Sequence, residues 1–273
     1  MHETGILWLR VAVVLYSLGL AHAILVISSR RTSLFPAALF AFYTGAVLQV
    51  VSVVEVSLAL GHVPVNNFFQ TISLCALIIA AAFLVVYQQY HFASLSVFIF
   101  PVVFLMTLIG SMETPVASWP NTRLRDAWLF LHVVLILLGY AGLLLTAMGS
   151  IFYLIQERQL KRKRRSALFD RLPPLATLDS MVTHSMTFGF IFITLGVIAA
   201  TTWAFIETGS RWIAYPRIGL ALLTWLVYLL MVFLRATAGW RGRKAAVMAI
   251  AVVCCSAFTW AAHVGLRSLL ERR

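Results

Sequence analysis

Apolar residues along this chain come in long unbroken blocks, not in an alternating or one-faced pattern. Eight blocks stand out, at 11–28, 36–59, 69–87, 92–111, 127–155, 185–206, 217–235 and 245–266. Each is close to the ~20 apolar residues that a helix needs to cross the hydrocarbon core of a bilayer. A membrane-spanning strand needs only about 9–11 residues of alternating character, so the block lengths predict helices and exclude a β-barrel. The fifth block is longer than a bilayer requires, which predicts a helix that tilts or continues into water at its inner end. The longest polar break, 156–180, contains Pro173-Pro174, where one helix should end and the next begin. Thr177 or Asp179 is the expected cap of the helix that follows. The prediction is an all-α polytopic membrane protein of about eight spans.

Composition agrees and adds orientation. The 273 residues are 62% hydrophobic and 11% charged, against roughly half and a quarter in soluble domains. Little sequence is left for a soluble domain. We therefore expect one domain over 1–273, divided functionally into four spans in 1–126 and four in 127–273. The first block lacks a basic n-region before it and has Arg30 and Arg31 after it, as an uncleaved first helix would. With eight spans, thirteen basic residues fall on one face and eight on the other. Lys and Arg favour the cytoplasmic side, so both termini are expected outside, with the connectors 60–68, 112–126 and 207–216. The net charge of +12 needs no nucleic acid to account for it. Much of it lies in "RQLKRKRRS" at 158–166, which reads as an anchor on anionic lipid headgroups or a docking segment for a protein.

Three cysteines, Cys75, Cys254 and Cys255, lie in apolar blocks, with no CxxC or CxxCH. A thiol redox motif and covalent haem attachment are both excluded. Of the seven histidines, His132 and His263 fall near the outer ends of the fifth and eighth spans, at matching depth. Two such imidazoles are what axial ligation of haem iron requires. Trp119, Trp128, Trp203, Trp212 and Tyr215 lie at the same face and would supply walls for a macrocycle. Arg123, Arg125, Arg211 and Arg217 would meet anionic propionates there. Ordinary interfacial chemistry accounts for the same residues, since Trp and Tyr collect at both membrane boundaries and Arg snorkels. Glu55, in the outer part of the second span, offers a third option as a transport site.

The segment 203–246 separates these options. Its ordered features are Trp203-Ala204, "WIAYPR" at 212–217, Trp225 with Tyr228, and Gly239-Trp240-Arg241-Gly242. Together they resemble the tryptophan-rich region of the cytochrome c assembly proteins, the membrane haem-handling proteins of the CcsA, CcmC and HemX type. "LPPLATLD" (172–179), "GFIFITLGVIAATTWA" (189–204), "GHVPVNNFFQTISL" (61–74) and "LHVVLILLGYA" (131–141) extend the likeness over most of the chain. The family's W-D-P core is Ala214-Tyr215-Pro216 here, without the acid, and several tryptophans are absent. "GLRSL" places Arg267 where the family carries its second outer haem-ligating histidine, and His263 lies one helical turn earlier. Gln49 occupies the region where one branch carries a histidine in an early span.

The resemblance implies a component of c-type cytochrome maturation in the bacterial inner membrane. Such a protein would hold non-covalent haem b at the outer face and present it to apocytochrome c, together with a second membrane subunit. On that reading His132 and His263 ligate iron, and Trp128, Trp203, Trp212 and Tyr215 face the macrocycle. Arg211, Arg217 and Arg267 meet propionates. The chain would not be a stand-alone enzyme. The HemX branch implies a second possibility, a non-enzymatic regulator of haem synthesis.

Overall fold

The computed structural model describes residues 2–29, 35–65, 67–112, 123–162, 172–208, 216–240 and 242–270. The elements are α1 (His2–Ser29), α2 (Phe35–Leu60), α3 (Phe68–Tyr90), a 3-10 turn (Ala93–Leu95), α4 (Ser96–Gly110), α5 (Arg123–Lys161), α6 (Leu175–Thr208), α7 (Pro216–Thr237) and α8 (Arg243–Leu270). No strand occurs among the described residues. Seven of these elements carry described stretches long and apolar enough to cross a membrane. The eighth predicted span, 245–266, lies in α8, whose side chains are described only in part. Large apolar side chains such as Phe40, Leu58 and Phe258 stand about 70% exposed, which is how a helix meets lipid and not how it meets water. The protein is an all-α, multi-pass membrane protein.

The chain divides into two compact units, residues 1–133 and 134–273. The first is built on close helix approach. On α1, Gly5 and Gly19 lie against α2 so closely that a Cβ at either would meet an α2 backbone oxygen, of Ser52 or Ala38, within 3.4 Å. Small residues allow such contact in a bilayer, where burying apolar surface gives no net drive between helices. The ring of Phe42 stacks on Phe100 at 4.1 Å, with Tyr16 and Phe83 packed against it. One polar side chain ties all four helices. Gln49 on α2 accepts a hydrogen bond from the Tyr16 hydroxyl of α1 at 2.8 Å. Its amide donates to the Ser73 carbonyl on α3 at 2.9 Å and approaches Thr107 Oγ1 on α4 at 3.5 Å. Gln49 is fully buried and fully used, as a polar group in this setting must be.

In the second unit α5 crosses α6 at glycines. A Cβ on Gly142 would stand 2.8 Å from the Cα of Gly189, and one on Gly139 3.0 Å from the nitrogen of Ile193. The core that follows is Leu143, Met186, Ile193, Tyr228, Met231, Ala249 and Val252. Helix α5 has 39 residues, about 58 Å at 1.5 Å per residue, nearly twice the hydrocarbon thickness. The extension expected at the inner end of the fifth apolar block is present, to Lys161, and the helix also begins before the block, at Arg123.

One sequence expectation fails. Neither Thr177 nor Asp179 caps α6, because the helix begins at Leu175 and both lie inside it. The start is set by Pro174, whose carbonyl accepts the Leu178 N–H at 3.1 Å. Asp179 has another use, described below.

Candidate functional site

Those residues proposed for haem contact that fall within described helices lie near helix ends. Trp128 and His132 sit near the start of α5, both half-buried and four residues apart, so one face of the helix carries both. Trp203, also half-buried, lies near the end of α6. His263 and Arg267 occupy successive turns near the end of α8, and Arg217 the first turn of α7. The side chains of these three, and the whole of Arg211, Trp212 and Tyr215, lie outside the described residues. Trp119 lies outside them too, and of Arg123 and Arg125 only the backbone at the start of α5 is described. His132 belongs to the first compact unit and His263 to the second. Among the described residues no group of three or more His, Cys, Asp or Glu converges to hold a metal ion. A haem needs no such group, since its iron takes one imidazole from each side.

The tryptophan and tyrosine of α7 have a structural role that their sequence spacing does not reveal. Trp225 Nε1 donates to Thr194 Oγ1 on α6 at 3.0 Å, and the Tyr228 hydroxyl donates to the Met186 carbonyl at 2.8 Å. Phe190 lies against both rings, at 6.2 and 5.5 Å. A Cβ at Gly189 would come within 2.5 Å of the Tyr228 oxygen, so the glycine makes room for that ring. Two hydrogen bonds one turn apart fix the rotation of α7 against α6.

Arg235 and Asp179 form a second tie between the same helices. The guanidinium is nine-tenths buried at the end of α7, and its Nη2 donates to Asp179 Oδ1 at 2.9 Å and to the Asp179 carbonyl at 3.1 Å. The same nitrogen contacts Thr183 Oγ1. The partners are 56 residues apart in sequence, which is why a reading of local caps missed them. Beside this pair a cavity of about 560 Å³ opens against the first turns of α6, at Leu175, Ala176, Asp179 and Ser180. Tyr153 of α5 and Gly242, which precedes α8 with φ +65°, form its opposite wall. His184, exposed, closes one side with Nδ1 3.4 Å from the Ser180 hydroxyl.

The remaining candidate, Glu55, is tied within the first unit. Its Oε1 accepts the Trp8 indole N–H at 3.1 Å, while its buried Oε2 has no hydrogen-bond partner among the described residues. Gln49, in the region where one branch of the resembling family carries a histidine, carries the four-helix hydrogen-bond cluster.

Comparison with known proteins places the architecture in a family. A multi-pass helical membrane protein with a half-buried histidine and tryptophan on one helix face is a class, not yet an identity. The family described as Cytochrome C assembly protein matches residues 41–270, and the chain belongs to it. Among similar proteins, a "Cytochrome c biogenesis protein CcsA" of Prochlorococcus marinus (strain MIT 9303) is 30% identical over 228 residues. That alignment covers 71% of this chain and 72% of the relative. A protein of the same description from Heterosigma akashiwo (strain NIES-293 / 8280G21-1) is 27% identical, covering 67% of this chain and 68% of its own. One from Chlamydomonas reinhardtii is 29% identical, covering 69% and 54%. No solved structure matches the chain.

Proposed function

We propose that this chain is a membrane component of c-type cytochrome biogenesis. It binds haem b non-covalently at one face of the membrane and presents it for attachment to apocytochrome c. The family match across residues 41–270 carries this reading, supported by relatives described as cytochrome c biogenesis proteins. The described residues fit one half of a haem site. His132 offers an imidazole on a helix face that also presents Trp128, and the half-buried depth of both suits a macrocycle at a membrane boundary. His263 is the residue we assign as second ligand. We assign Trp203, Trp212 and Tyr215 to the macrocycle face and Arg211, Arg217 and Arg267 to the propionates. Bound haem would supply the vinyl groups that the apocytochrome thiols attack; the chain's contribution is position and electrostatics. In this reading the protein lies in a bacterial plasma membrane with both termini outside, and works with a second membrane subunit.

Arg267 in place of the family's histidine favours a second reading, a HemX-type regulator of haem synthesis that delivers none. Gene deletion separates the two. Loss of holocytochromes c, restored by the wild-type gene and not by His132→Ala, supports delivery. Normal cytochromes c with altered haem-precursor levels refute it and support regulation.

A further inference from the structure

The cavity beside Arg235 plays no part in the haem reading, and three observations converge on what it takes. Its floor is the N-terminal turn of α6, a 34-residue helix. The unpaired N–H groups and dipole of such a terminus favour negative charge. Arg235, nine-tenths buried, contacts Asp179 and Thr183 through Nη2, and its buried Nη1 has no acceptor among the described residues. That guanidinium lies outside the lining of the larger cavity, in a narrow gap too small to hold a water that shares Tyr153, Asp179 and Gly242 with it. A buried charged donor without an acceptor calls for one from outside. Finally, this end of the unit is positive: among the described residues Arg158, Lys161, Arg162, Arg235, Arg243 and Lys244 stand against Glu157 and Asp179.

We propose that this pocket binds a phosphate group, carried by an anionic phospholipid headgroup or by a small soluble phosphate. The α6 N–H groups and the Ser180 and Tyr153 hydroxyls provide donors around the oxygens. Arg235 provides the charge behind them, largely balanced by Asp179, and the surrounding cations supply the net attraction. Tyr153, in the wall common to both spaces, is the side chain that turns to let an oxygen reach Nη1. Basic residues mark the polar boundary of a bilayer at this end, which favours a headgroup as the source. The proposal is independent of haem binding, and its test reads no haem.

The full-length protein in detergent is equilibrated separately with phosphatidylglycerol, phosphatidylcholine and inorganic phosphate, and adducts are read by native mass spectrometry. A phosphatidylglycerol adduct at least about tenfold stronger than the phosphatidylcholine one supports the headgroup source. Binding of inorganic phosphate without phosphatidylglycerol supports the soluble source. Either adduct must vanish in Ser180→Trp, which fills the cavity and leaves the Asp179–Arg235 pair intact. It must also weaken about tenfold in Arg235→Lys, which keeps the charge and loses the planar fork. If neither probe binds, or if Ser180→Trp binds as well as wild type, the proposal fails; should Arg235→Lys not fold, Ser180→Trp decides alone.

Discussion

Replacing Gly142 by alanine tests the crossing on which the second unit depends. The new Cβ would lie 2.8 Å from the Gly189 Cα, 2.9 Å from its nitrogen and 2.9 Å from the Ser185 oxygen. Carbon atoms in good contact stand at about 3.5–4.0 Å, so the shortfall at the Cα is roughly 0.7 Å. All three obstacles are backbone, and no rotamer change relieves them. Helices α5 and α6 must separate, loosening the Gly139 contact with Ile193 and the Gly149 contact with Met181 and Val182. Overpacking of this kind costs about 1–3 kcal/mol. Alanine returns up to about 1 kcal/mol through helix propensity. The net expectation is a loss of about 1–2 kcal/mol. Gly219, in the first turns of α7, is the matched control because a Cβ there meets nothing within 4 Å. Gly219→Ala should gain up to about 1 kcal/mol from propensity alone. Both are measured by titrating SDS into mixed micelles and following helix content by circular dichroism. The reasoning is refuted if Gly142→Ala is as stable as wild type, or shifts in the same direction as the control.

Three further outcomes follow from the polar ties. Gln49→Leu should cost about 1–3 kcal/mol by stranding the Tyr16 hydroxyl, and Tyr16→Phe added to it should cost less than its separate effect; the same unfolding titration checks both. Arg235→Gln should cost about 3 kcal/mol by leaving Asp179 without its cation, and the Asp179→Asn/Arg235→Gln pair should recover part of that loss. A double-mutant cycle of Trp225→Phe and Thr194→Val should give a coupling of about 0.6 kcal/mol, the usual worth of a hydrogen bond between membrane helices.

The apolar blocks were readable because lipid imposes one rule on every span: about twenty residues with internal backbone bonding. Helix ends were less so. The first ten residues of α6, "LATLDSMVTH", carry too much polarity to count as apolar, yet they are helical. Asp179 there is held by a cation 56 residues away, which no local pattern announces. Gln49 showed as an isolated polar residue in an apolar block; its four-helix cluster depends on Ser73 and Thr107, neither of which stands out in sequence. The Trp225 and Tyr228 spacing was recognised through family likeness, whereas their partners Thr194 and Met186 came only from the packing. Trp128 and His132 were legible singly, as an aromatic and a histidine at the outer end of the fifth block; their shared face follows from the spacing of four once α5 is seen to begin at Arg123. The remainder of the proposed haem site draws on residues from separate helices, for which no comparable sequence rule exists.

The proposed haem site stands or falls with His132. The direct measurement is the visible absorption spectrum of the detergent-purified protein titrated with haemin, oxidised and then reduced. Ligation by His132 should give a saturable Soret band with sharp reduced α and β bands, as bis-imidazole ligation does, and a weakened band in His132→Ala that added imidazole restores. A protein that stays colourless through the titration, or a His132→Ala variant with an unchanged spectrum, would contradict it.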